Sequence, residues 1–94
     1  MLSELERTIV AALRRAIDRA IEDRDVAALS TSFAQLVELL MKRKAPATLR
    51  DACDAIATRL DEAARAGLAK LAADADPKSN LARTVRLMLT PLPS

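Results

Sequence analysis

A chain of 94 residues has room for one domain, which at that size buries only roughly 60 to 70% of the surface its unfolded form exposes. Hydrophobic residues make up 51% of it and aromatics 1%, so the core must be assembled from Leu, Ile, Val and Ala. With no His, one Cys and one Gly, it lacks the imidazole bases, paired thiols, metal clusters and phosphate-cradling loops that most enzyme classes need.

No stretch alternates β-branched with polar residues, so the expected fold is all-α. Ser3 followed by Glu6 forms a capping box and starts a first helix that runs from residue 4 to about 24. Along one edge of its apolar face lie Leu5, Ile9 and Leu13, and along the other Val10, Ile17 and Ile21. The stripe spans roughly 160°, more than one neighbouring helix covers, so contact with several helices is expected.

Asp23 and Asp25 break the chain, and Asp25 caps a second helix, residues 26–44, with Val26, Leu29, Phe33, Leu36, Val37 and Leu40 on its apolar face. So short a connection predicts an antiparallel hairpin. Leu39 and Met41 fall outside the main stripe and also call for a second partner. Lys42 to Lys44 complement the negative end of the helix dipole, and Pro46 marks the stop.

Thr48 with Asp51 caps a long third helix, 49–73, carrying Leu49, Cys53, Ile56, Leu60, Ala63 and Gly67 at alternating spacings of four and three, like a coiled-coil seam. Pro77 opens a short fourth helix, 77–89, with Leu81, Val85 and Met88 on its apolar face, and 91–94 is an extended tail. The predicted architecture is a hairpin, a third long helix and a short C-terminal helix in one domain, 1–90, associating into an oligomeric bundle.

No apolar run approaches the ~20 residues of a membrane span, and acidic residues among the first 25 argue against a targeting peptide, so the expected compartment is the cytoplasm. The carboxylate pairs Asp18 with Glu22 and Asp51 with Asp54 sit among arginines on polar faces, as solvated ion pairs do. Cys53, on the seam of the third helix, reads as a small core hydrophobe. Neither catalytic nor metal-binding residues nor a cofactor are expected.

Two features admit two readings each. The basic run Lys42, Arg43 and Lys44, with Arg50 across the turn, is a helix C-cap or a phosphate contact. One copy would neutralise only about four phosphates, so tight binding would need the patch repeated in an oligomer. The segment Leu81, Arg83, Val85, Arg86, Met88 and Leu89 either covers the end of the bundle or docks into a partner's groove. A DNA-reading helix-turn-helix is not expected, because Asp51, Asp54, Asp61 and Glu62 follow Arg50 and would repel phosphates.

Residues 5–40, LERTIVAALRRAIDRAIEDRDVAALSTSFAQLVELL, resemble the Ala/Arg-rich helical hairpin of small terminase subunits from phages and phage-like particles. The likeness covers under half the chain and consists of a long helix, an acidic break and a second apolar helix. It implies a ring held by Ile9, Leu13, Ile17, Phe33, Leu36 and Leu40, with Lys42 to Lys44 facing DNA for packaging. Residues 81–92 would meet a large ATPase subunit. Many such subunits carry a helix-turn-helix before the hairpin; here the hairpin starts at residue 4, so no sequence-specific reading of DNA is implied. The other reading of the same surfaces is a small helical regulator that binds a protein partner through an apolar face, without DNA.

Overall fold

A computed structural model describes residues 2–89 as five helices, with no strand among the described residues. They are α1 (Glu4–Glu22), α2 (Val26–Lys42), α3 (Pro46–Ala57), α4 (Glu62–Asp74) and α5 (Asn80–Leu89). The predicted tail at 91–94 lies outside the described residues.

The capping box at the start of α1 is complete: the Ser3 amide donates to Glu6 Oε1 at 3.0 Å, and the Glu6 amide donates to Ser3 Oγ at 3.2 Å. Both α1 and α2 stop in the same way. Beyond α1 the Asp25 amide reaches back to the Ala20 carbonyl at 2.9 Å, and beyond α2 the Ala45 amide reaches the Leu40 carbonyl at 2.9 Å. These are Schellman closures, which need a left-handed residue just outside the helix. Arg24 (φ 56°) and Lys44 (φ 53°) supply it without glycine.

Asp25 caps α2 through a bond from the Ala28 amide at 3.1 Å. That helix is the axis of the molecule, packing against α1, α3, α4 and α5. Its Leu29, Phe33, Leu36, Val37 and Leu40 are all buried, and Leu39 and Met41 pack on the margin of the core. The second partner these two require is found within the chain. One contiguous apolar cluster takes residues from every helix, from Val10 to Val85.

Three expectations need correction. The third helix is not continuous: α3 ends at Ala57, and Asp61 caps a separate α4 by accepting from the Ala64 amide at 2.8 Å. The seam consequently shifts register. Leu49, Cys53 and Ile56 are buried on α3, but on α4 the buried pair is Ala64 and Leu68, while Ala63 is exposed. Pro46 begins α3 at its first turn, where proline's missing N–H costs nothing, and Thr48 caps nothing.

The last helix starts at Asn80, not at Pro77. Pro77 instead sits in a turn closed by the Ser79 amide on the Asp76 carbonyl at 2.8 Å, and Ser79 Oγ then accepts from the Ala82 amide at 3.2 Å. Finally, α1 packs chiefly on α2, so the far edge of its wide apolar stripe is left uncovered.

Candidate functional site

Four of the six residues that the resemblance places between subunits point into this chain's own core. Ile17, Phe33, Leu36 and Leu40 are each 0% exposed: α3, α4 and α5 fold back over the face of α2 that a lone hairpin would present, and Ile17 of α1 packs into the same core. In this fold they have no surface to give a second copy. Leu13 is half-buried, and only Ile9 of the six is exposed.

What remains outside on α1 is a narrow apolar edge. Leu5 is 71% exposed and Ile9 42%, and Ala12 and Ala16, both exposed, continue the line at spacings of three and four. Residues so spaced share one helix face. Sequence reasoning grouped Leu5 and Ile9 with Leu13, on the inner margin, and did not single out the two alanines. The 4–3–4 spacing from residue 5 to 16 was the available signal.

A second surface lies where α1 begins and α2 ends. Lys42, Arg43, Lys44 and Arg50 are all exposed at this corner. Arg43 is not free for a ligand, since its Nε forms an ion pair with Glu6 Oε2. The Ser3 amide and hydroxyl, followed by Arg43, hold the Glu6 carboxyl below its ordinary range, so the pair is charged at neutral pH. That leaves Lys42, Lys44 and Arg50 as the open cations.

The predicted partner-binding segment behaves mainly as a cover. Val85 is wholly buried, and Leu81, Met88 and Leu89 are half-buried against the core. Arg86 donates to the carbonyls of Ala82 at 3.3 Å and Pro77 at 2.7 Å, tying α5 to the turn before it. Arg83 and Leu87 face outward, Leu87 at 79% exposure. Beside them an open groove of about 570 Å³ runs between α4 and α5, lined by Ala72, Pro77, Val85 and Leu89 among others.

Two of the acidic residues, Asp18 and Glu22, serve structure. Asp18 pairs with Arg59, and Glu22 lies 3.8 Å from the same guanidinium, so the loop between α3 and α4 is clamped to α1. No periodicity connects residues 41 positions apart, and the sequence held no sign of this pairing. Cys53 is buried at 8% exposure; desolvation, with the charge of Asp54 adding to it, pushes its thiol up to about 11. Among the described residues no three potential metal ligands come together, and no helix is long and apolar enough to cross a membrane. Compared with protein-family models, curated proteins and solved structures, the chain matches none.

Proposed function

We propose that this chain is a non-enzymatic, self-associating helical adaptor, whose contact between copies is the outer edge of α1. The observation that supports this reading is the side-by-side exposure of Leu5 and Ile9 on a helix whose other large apolar residues are covered. Apolar side chains adjacent on one helix face are removed from water most readily by another helix. Sedimentation velocity over rising concentration tests it. The expected mass rises above the 10.2 kDa of one chain, and Leu5→Glu with Ile9→Glu holds it there without loss of helical circular dichroism. A native chain that stays at 10.2 kDa throughout would sink self-association and favour a different protein as the partner of the same edge.

The open cations Lys42, Lys44 and Arg50 favour a second role in which an assembled adaptor holds DNA, in the manner of the small terminase subunits whose hairpin this chain resembles. Arg83 and Leu87 on α5 are then the outward groups available to a large ATPase subunit. Such an assembly would have to be joined through Leu5 and Ile9, since Ile17, Phe33, Leu36 and Leu40 are spent internally. Retention on a nonspecific duplex should fall steeply with salt and vanish when Lys42, Lys44 and Arg50 are replaced by Ala. Retention unchanged by those replacements removes the DNA role and leaves the adaptor.

A further inference from the structure

The α1 edge is shaped and charged to fit itself in one orientation. Its first half is bulky, Leu5 and Ile9, and its second half is small, Ala12 and Ala16, all four exposed. Its outer flank carries Glu4 at the start and Arg15 and Arg19 further along, exposed as well. Two copies laid parallel would set bulk on bulk at one end, leave a gap between alanines at the other, and put the charged flank of each copy on the side away from its equivalent, where the two flanks cannot pair. Laid antiparallel, each bulky residue meets a small one, so the helix axes keep an even separation, within the ~8–10 Å range of packed helices. The rotation that relates the copies also keeps equivalent flanks on the same side, which brings opposite charges together.

We infer, building on the adaptor reading above, that the partner is a second copy bound antiparallel along α1, in a closed two-fold dimer. Leu5 rests on the partner's Ala16 and Ile9 on the partner's Ala12, with Glu4 between the partner's Arg15 and the partner's Arg19. Among the described residues Arg19 pairs with Asp23, at 3.7 Å and with both side chains largely in water; such an exposed pair contributes little and yields readily to a better one. A two-fold contact of this kind uses the whole edge on both copies and closes the assembly at two. Leu13, half-buried at the inner margin of the edge, is the residue whose remaining surface the partner would cover.

Disulfide trapping tests the orientation. With Cys53→Ala removing the native thiol, a mixture of Leu5→Cys and Ala16→Cys chains should link efficiently on mild oxidation, whereas Leu5→Cys alone should not. In the antiparallel pair two thiols at position 5 lie roughly 16 Å apart along the helices, far beyond disulfide reach. Charge reversal gives an independent reading: Glu4→Arg should weaken association by about tenfold, and adding Arg15→Glu and Arg19→Glu should restore it. Linking of Leu5→Cys to itself, absence of the mixed link in a chain that associates, or a mass of three or more copies overturns the antiparallel dimer while leaving self-association intact. A chain that never associates overturns both.

Discussion

At Gly67 a single missing methyl sets how closely two helices lie. A Cβ built there would stand 2.1 Å from Val26 Cγ1, so α4 can rest against the start of α2 only because that position has no side chain. Alanine would gain about 1 kcal/mol in helix propensity. It would also drive a methyl into a β-branched residue with little rotamer freedom, and overpacking of this kind costs about 1–3 kcal/mol. Gly67→Ala should therefore lower stability in urea titrations by up to about 2 kcal/mol. Val26→Ala in the same chain should recover most of that loss, and equal losses with and without the Val26 change would refute the contact. The glycine was visible in the sequence as part of a small-residue face; that Val26 was the neighbour was not, since only the fold sets the two together.

Among the elements, the break between α3 and α4 is the clearest case of a local signal outvoting a longer one. The apolar spacing from Leu49 to Gly67 continues without interruption, and by periodicity alone one helix is the better reading. The chain turns instead. Thr58 Oγ1 donates to the Ala55 carbonyl at 2.9 Å, the Arg59 amide closes on Ile56, and Asp61 restarts the ladder. Two helices in place of one let the chain cover α2 from two directions, and the seam moves by one residue to do it. Asp61→Ala should then cost about 1 kcal/mol, as loss of an N-cap does. Thr48→Ala, at the position where the sequence suggested a cap and the structure has none, should stay within about 0.5 kcal/mol. Thermal or urea unfolding of the two variants checks both numbers, and an equal cost at the two sites would argue for the uninterrupted helix.

At the scale of the whole molecule, the burial of Cys53 couples folding to pH. Burial raises the Cys53 thiol from 9.0 to about 11, so folding favours its protonated form. That contribution is complete below pH 9.0 and disappears as the pH climbs through about 11, because the unfolded chain ionises first. The urea midpoint of the native chain should fall more steeply across this window than that of Cys53→Ala, in which the thiol is gone; parallel curves would show that the thiol is not buried. The all-helical class, the Ser3 and Asp25 caps, the stop near residue 44 and the core role of Cys53 were all legible in the residues, because caps, dipole charges and helical spacing act over three or four positions. The sequence also showed that α1 carries more apolar surface than one neighbour covers. Which part of that surface stays in water was decided by tertiary packing: α3, α4 and α5 compete with any second copy for the face of α2, and being tethered they win it at far lower entropic cost. Phe33, Leu36 and Leu40 went inside for that reason, and the edge from Leu5 to Ala16 is what the described helices leave uncovered.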